Sequence, residues 1–452
     1  MTSASDIAAF LHTDFARLVA AHDVPGGAIA VSMDGEIVEA VAGVLSTATQ
    51  VEVTTDSVFQ IGSVAKVWTA TLIMQLVDDR LLDLDEPIRT YLPGFRLADE
   101  SAAESVTARH LLRHQGGFEG DIFTDTGRGD DAIETYVDGL ADVPQVFAPG
   151  ETTSYNNAGY VVLGRVIEVL REMSWEDAVR DHLAVPLGLS HVAPTAYEAV
   201  MFRTAIGHIG SDERGIETPA SIWTVARSCG PAGSMLAMRP RDLVGFATMH
   251  LTGGVGPDGR PVLSKGSVSA MQGADAEAST SLGWTKYSDE LIGHDGGTIG
   301  QLCFLRIVPK ARLIVVMSTN GGDAAALFDD VVRRVIEEAG EVSLPVPPRP
   351  SPLSVEIDAH RLLGTYANST MELVFSVHDD GRICCTETPI GEVAEVSGEK
   401  ESRVELVGYA ADALITRDPV QGGRHTVYSF AGDDGRGRRK FVNFGRAVPR
   451  VD

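Results

Sequence analysis

Cysteine is scarce: Cys229, Cys303 and the adjacent Cys384 and Cys385 are the only four, and none stands in a CxxC or other metal-ligand spacing. That excludes a disulfide scaffold and a cysteine-built metal site. The four read instead as small buried hydrophobes of a reducing compartment. Long apolar runs are missing as well. No stretch reaches the roughly 20 residues of a membrane helix. The start, Met1 to Asp6, has no basic segment leading into an apolar one, so a cytoplasmic chain is expected. Positive charge is short: 37 Lys and Arg against 63 Asp and Glu leave a net −26. A field of that sign repels phosphate backbones and anionic lipid, so neither nucleic acid nor a membrane surface is expected as a partner. Only six of the cations are lysines, which makes a lysine inside an apolar stretch conspicuous. There is no internal repeat and no GxxxxGK[ST] phosphate loop.

What is present is an ordinary globular composition, 44% apolar and 22% charged over 452 residues, enough for two domains with a large core. The strongest break is Leu344 to Pro352, where five prolines in nine residues fix φ and remove backbone donors. A first domain over 1–343, a linker over 344–352 and a second domain over 353–452 are therefore expected. In the second, alternating runs at Met371 to Val377, Val404 to Val407 and Thr426 to Phe430, with turns at Asp379-Asp380-Gly381 and Asp433-Asp434-Gly435, predict a small antiparallel barrel or sandwich. In the first, an amphipathic helix at Ile7 to Ala21 precedes a hairpin, Gly27 to Met33 and Glu36 to Val44, turning at Asp34-Gly35. A second hairpin, Leu302 to Val308 and Leu313 to Thr319, precedes a helix at Ala324 to Ala339. Strands at both ends with helices between predict an α/β (α+β) fold: one antiparallel sheet made from the two termini, flanked by the end helices, with a helical subdomain inserted.

Three constellations can carry chemistry. Ser63-Val-Ala-Lys66 opens a run, Val67 to Val77, that is apolar on nearly every side, which marks a buried helix. Ser63 then sits at a helix start, where backbone N–H groups and the macrodipole favour negative charge. Lys66 lies one turn on, on the same side, and burial should depress its pKa until a neutral amine can act as a base. Tyr155-x-Asn157 stands in a turn-rich loop leading into the helical run Val161 to Arg171. A phenol beside a cationic lysine has its ionised form stabilised and could relay a proton, and the Asn157 amide could hold Lys66 or a substrate amide. His294-x-Gly296-Gly297 leads into the strand Gln301 to Val308, with paired glycines that let a second backbone approach. Each constellation alone fits a bland reading: an N-cap, an aromatic anchor, a loop histidine.

In this order, SxxK, YxN and HxG, the chain resembles the serine β-lactamase and penicillin-binding-protein superfamily, and within it the class C-like esterase, D-aminopeptidase and D-amidase branch, where histidine commonly replaces the lysine of the KTG motif. The resemblance covers most of residues 1–340 and includes Thr107 to Gly117, Leu187-Gly-Leu189, Ala232-Gly-Ser-Met and Val308-Pro309. It implies a β-lactamase-like domain with Ser63 as the acylated nucleophile, Lys66 as its base, Tyr155 as the relay to the leaving group and Asn157 beside Lys66. His294 takes the place of the KTG lysine, next to Gly296, and the N–H groups of Ser63 and Gly297 form the oxyanion hole. The class A deacylating glutamate has no counterpart, and histidine at 294 weakens recognition of a β-lactam carboxylate. The second domain resembles the lipocalin-like barrel appended to several peptidases and esterases of this branch, entered at Leu363-Gly-Thr-Tyr366.

The resemblance implies a cofactor-independent serine hydrolase acting on an amide or ester of a small molecule or peptide through an acyl-Ser63 intermediate. One alternative keeps the acylation and changes the acceptor: a stand-alone thioesterase that releases and macrocyclises a nonribosomal peptide from a carrier-protein thioester. Another is a catalytically silent binding or sensor protein. The oligomeric state is not set by the sequence. Since residues up to Leu344 hold both hairpins and all three constellations, that segment is expected to fold and acylate Ser63 by itself.

Overall fold

Near-continuous apolar runs along Gly26–Met33 and Leu313–Thr319, buried on both faces, build the centre of the first domain. In the computed structural model, which describes residues 2–211, 217–273, 281–352, 355–378, 380–391, 400–420 and 423–452, these two strands pair antiparallel from Gly27 opposite Thr319 to Met33 opposite Leu313. The sheet continues outward on one side to Glu36–Gly43 and on the other through Leu302–Val308 and Leu291–Gly297 to Thr285–Ser288. Successive side chains point to opposite faces, so Ile29, Val31, Val315 and Met317 face one layer while Ala30, Ile314 and Val316 face the other. The first layer is the N-terminal helix Ala4–Ala21, packed with Ile7, Leu11 and Phe15, together with the helical run 324–339. That run is expected as one helix, and a π turn at Phe328–Arg333 interrupts it.

The second layer is the large helical core. Its axis is Ala65–Asp78, which buries twelve of fourteen residues and stacks Trp68 on Phe246 of the helix Pro240–Leu251 at 4.3 Å. Asn157–Arg171 packs beside it. The inserted region also carries a small four-stranded sheet that includes Ser57–Gln60 and Ala237–Met238. Its strands are two to four residues long, too short to leave a period in the sequence. Among the described residues no helix is long and apolar enough to cross a membrane, and the four cysteines are buried and unpaired.

Residues 344–352 have no helix or strand, although Val342 and Leu344 stay in the core. Beyond them eight described strands, from Gly364–Ala367 to Ala447–Pro449, pair each with the next. A bridge between Tyr366 and Arg450 brings first and last together, so the sheet is a nearly closed antiparallel barrel. Leu373, Phe375, Tyr428 and Phe430 fill it. The Asp433-Asp434-Gly435 turn forms as expected, with Asp433 accepting from the Gly435 N–H at 2.7 Å, while Asp379 lies outside the described residues.

Candidate active site

The short strand Ser57–Gln60 delivers the chain to Gly62, whose φ of +54° is left-handed, and the next residues wind through a 3₁₀ turn, Gly62–Val64, into the helix Ala65–Asp78. Ser63 therefore sits at a helix start, one turn before Lys66. The strand Leu291–Gly297 passes so close that a Cβ on Gly296 would stand 1.8 Å from the Ile61 carbonyl oxygen, and one on Gly62 would stand 2.5 Å from the Gly297 nitrogen. Glycine at 62 and 296 is thus a steric necessity of bringing the two backbones together. The expected pairing of the Ser63 and Gly297 regions is a direct result.

Lys66 is fully buried. Its Nζ lies 3.1 Å from Ser63 Oγ and donates to Asn157 Oδ1 at 2.7 Å and to the Ala232 carbonyl at 2.6 Å. Burial, reinforced by the positive charge of Arg446, lowers its pKa to about 7, against the opposing pull of Asp121. At that value much of the amine is uncharged at neutral pH, as the apolar helix implies. Tyr155 hydrogen-bonds Ser63 and places its ring 4.8 Å from Lys66 Nζ. Here one expectation is corrected: burial outweighs the Ser63 hydrogen bond and the charge of Arg446, and the phenol is pushed up to about 12 rather than down. Tyr155 is a proton donor at neutral pH.

His294 is buried, and its pKa falls to about 4 through burial and then the charge of Lys66. Its Nδ1 sits 2.7 Å from the Asp295 carbonyl, which can only accept, so Nδ1 carries the proton of a neutral ring. The site thus meets this edge of the strand with a neutral ring. The Asp295 side chain is held by Arg306 at 2.6 Å and by Tyr287 at 3.1 Å, which steadies this edge of the strand.

Three residues of the network escape sequence reasoning. His114, half-buried and pushed well below the usual histidine range by desolvation, stacks on Tyr155 at 4.3 Å and accepts the Asn156 N–H at 3.0 Å. Asp121 accepts the Asn157 amide at 2.7 Å. Arg446, from the last hairpin of the barrel, grips Asp121 with Nε at 2.7 Å and Nη2 at 3.2 Å, and its guanidinium lies 4.5 Å from the Tyr155 ring centroid. The same hairpin tip binds the backbone of the tyrosine loop. Tyr155 N–H donates to the Gly445 carbonyl at 3.0 Å, Ala447 N–H to Ser154 Oγ at 3.0 Å, and Asn443 Nδ2 to the Thr153 carbonyl at 2.9 Å. Phe147 and Phe441 close the contact edge to face at 6.0 Å. Residues up to Leu344 thus do not hold every group of this network. A signal was present in Phe444-Gly445-Arg446, a turn carrying an arginine, but nothing in its sequence tells that it reaches the other domain.

Taken together, the site presents a hydroxyl at a helix start, an amine held near neutrality, a protonated phenol and two approaching backbones. Among the described residues no group of three His, Cys, Asp or Glu could hold a metal. The Beta-lactamase family profile matches residues 11–339, and the chain belongs to that family, the serine β-lactamase and penicillin-binding-protein hydrolases. It is 44% identical over 366 residues, 78% of this chain and 95% of the relative, to penicillin-binding protein 4 of Amycolatopsis lactamdurans. Both domains are shared with the crystal structure of SurE, at 28% identity, a TM-score of 0.79 and 99% and 98% coverage of the two chains; SurE solved with D-Leu superposes with a TM-score of 0.76. A class C β-lactamase, 18% identical, matches in fold over 74% of this chain and 98% of its own, with a TM-score of 0.61.

Proposed function

We propose that this protein is a serine acyl-transferring hydrolase that cleaves an amide or ester through an acyl-Ser63 intermediate. The observation that carries the reading is Lys66: buried, held near neutrality, and 3.1 Å from Ser63 Oγ. As a neutral amine it donates to Asn157 Oδ1 and the Ala232 carbonyl and turns its lone pair to the serine hydroxyl. Ser63 gives its proton to Lys66 as Oγ attacks the carbonyl. The oxyanion lies between the N–H groups of Ser63 and Gly297, which are fixed before the charge develops. Tyr155 hands its phenol proton to the departing amine or alcohol and recovers one from the Lys66 ammonium, which restores the neutral base.

The second step runs the same relay in reverse on an incoming nucleophile. Asp121, the carboxylate of this network, has its oxygens engaged by Arg446 and Asn157, so activation of the acceptor falls to Tyr155 and Lys66. That pair can deprotonate water or an amine alike, and this supports the alternative in which a peptidyl thioester is released as a macrolactam. The neutral His294 supports a substrate without the carboxylate of a β-lactam, and the likeness to SurE, solved with D-Leu, supports a D-configured residue in the acyl part or the acceptor.

The test is intact mass after a serine-reactive phosphonate, together with turnover of D- and L-amino-acid esters and peptidyl thioesters. A single adduct on Ser63 and loss of all turnover in Ser63→Ala are expected, because no second nucleophile serves the covalent route. A protein that forms no adduct would be a binding protein on the same fold, and retained turnover in Ser63→Ala would remove the serine from the mechanism.

A further inference from the structure

The second domain is joined to the first by nothing more than a proline-rich linker in sequence, yet its last hairpin ends inside the proton-transfer network. We propose that Arg446 is a positioning residue of the acyl-transfer centre, supplied by the barrel, which locks Asp121, and through it Asn157 and Lys66, while its loop holds Tyr155 in register. The inference rests on Ser63 being the nucleophile.

The contacts form one directed chain. Arg446 is bidentate on Asp121. Asp121 Oδ1 accepts from Asn157 Nδ2, and Asn157 Oδ1 faces Lys66 Nζ. A primary amide has one acceptor end and one donor end, so a carboxylate on the donor side fixes which end the lysine meets. Without the arginine fork, Asp121 is free to rotate away or to turn its charge towards Lys66. On the other flank, the Gly445 carbonyl and the Asn443 amide pin the backbone at 153 and 155, and the guanidinium lies on the face of the Tyr155 ring. Two motifs of the first domain, the lysine and the tyrosine, are thus held in place by one turn of the second.

Charge works in the same direction as geometry. Lys66 is faced by Tyr155 and Tyr160 at 4.8 and 5.6 Å, by the neutral rings of His114 and His294, by the Cys229 thiol, by Asp121 and by Arg446. Arg446 is the cation of that set that opposes protonation of Lys66, and Asp121 is the anion that favours it. Removing Arg446 leaves Asp121 unopposed, so the amine holds its proton to higher pH.

The experiment compares the full-length protein with Arg446→Ala, Arg446→Gln and Arg446→Lys, all on a small chromogenic ester too short to touch the barrel. Expected are a fall in kcat of about ten- to a hundredfold with KM little changed, as for a misplaced catalytic group, a rising limb moved to higher pH, and partial recovery in the lysine variant. Asp121→Asn should give a similar loss, and the Arg446→Gln, Asp121→Asn double variant should be no worse than either single one. Lys440→Ala, which breaks an exposed contact with Glu151 between the same two domains, should leave kcat and the limb unchanged. If Arg446→Ala does not fold, the glutamine variant and Asp121→Asn carry the test. Unchanged kcat and limb, a loss confined to KM, or additive losses in the double variant would overturn the proposal. Failure of the wild-type protein to form a Ser63 adduct would instead remove the hydrolase reading on which it stands.

Discussion

The two halves of the site are built in different ways. Ser63 and Lys66 lie at the start of a helix buried on nearly every side, with Trp68, two residues after the lysine, stacked on Phe246. Every direct hydrogen bond that places Lys66 comes from the first domain, and the barrel reaches it at one remove, through Arg446, Asp121 and Asn157. Tyr155 stands in a loop whose backbone bonds run to Gly445, Asn443 and Ala447 of the barrel. The half that carries Ser63 and Lys66, the proposed nucleophile and base, is therefore rigid by packing, while the half that carries Tyr155, the proposed relay, is rigid only while the two domains are docked. A dense core holds side chains in single rotamers, whereas a loop held by a few hydrogen bonds opens at little free-energy cost. The proposed base is set by packing and only trimmed by the barrel, whereas the proposed relay depends on docking.

The largest effect that would break this contrast is on the fixed half. Lys66→Arg puts a permanent cation in place of a titrating amine and cannot accept the serine proton, since guanidinium stays protonated. Its kcat should fall by about 10² to 10⁴, in a protein that still forms the fold by circular dichroism. In the wild type the rate should rise with pH on a limb centred near 7. The sign follows from the depressed value: below it Lys66 is an ammonium and inert as a base, above it the amine is free. The phenol, at about 12, keeps its proton across that whole range. A pH–rate profile of the small ester checks both, and a fully active arginine variant would exclude Lys66 as base.

A smaller effect is expected from removing the barrel, with the chain ended at Leu344. The helix of Ser63 keeps its packing, but Arg446, Gly445 and Asn443 leave together. Turnover of the small ester should fall about ten- to a hundredfold, with the fold of the first domain retained. Slower but complete labelling of Ser63 by a phosphonate would show that the nucleophile half survives alone. If turnover of the small ester is unchanged while peptidyl substrates suffer, the barrel is a wall of the cleft and not a part of the centre.

The same contrast explains what was legible in the sequence. SxxK reads because helical spacing is local, and the apolar run after it announces burial and so the depressed lysine. The hairpins and the end helices read because a turn between two apolar runs and helical periodicity are local too. Arg446 could not be read, since its partner Asp121 is 325 positions away and nothing in a turn sequence says what it docks on. Burial of Tyr155 and His294 was equally hidden. Tyr155 stands in a loop of mixed polarity and His294 in the middle of the strand Leu291–Gly297, whose glycines and aspartate hide it as a strand, and the sign of the tyrosine shift depends on desolvation outweighing nearby charge, which is a balance of distances. Three of the eight described barrel strands showed as alternating runs; four others have only three or four residues, too few for a period, and Ile383–Pro389 is long enough but its Cys384-Cys385 pair and polar Thr386-Glu387-Thr388 break the alternation.

The smallest effect is the sharpest probe of the conditional half. Asn443 gives one hydrogen bond across the domains, from Nδ2 to the Thr153 carbonyl at 2.9 Å, and its Oδ1 accepts from Gly445 N–H at 2.9 Å within its own turn. Asn443→Ala removes both without touching Arg446, Tyr155 or the core. The loss should be about 1 kcal/mol in the stability of the docked hairpin, the ordinary net worth of a hydrogen bond, read as a small drop in the melting temperature. If the relay loop depends on docking, kcat should fall with it, by about two- to fivefold, because 1 kcal/mol is worth about fivefold in a population. Lys66 should be unaffected, so the limb near pH 7 should not move. A fall in kcat with a fixed limb separates the placement of Tyr155 from the charge of Arg446, and an unchanged kcat would show that the tyrosine loop keeps its position without the barrel's backbone contacts.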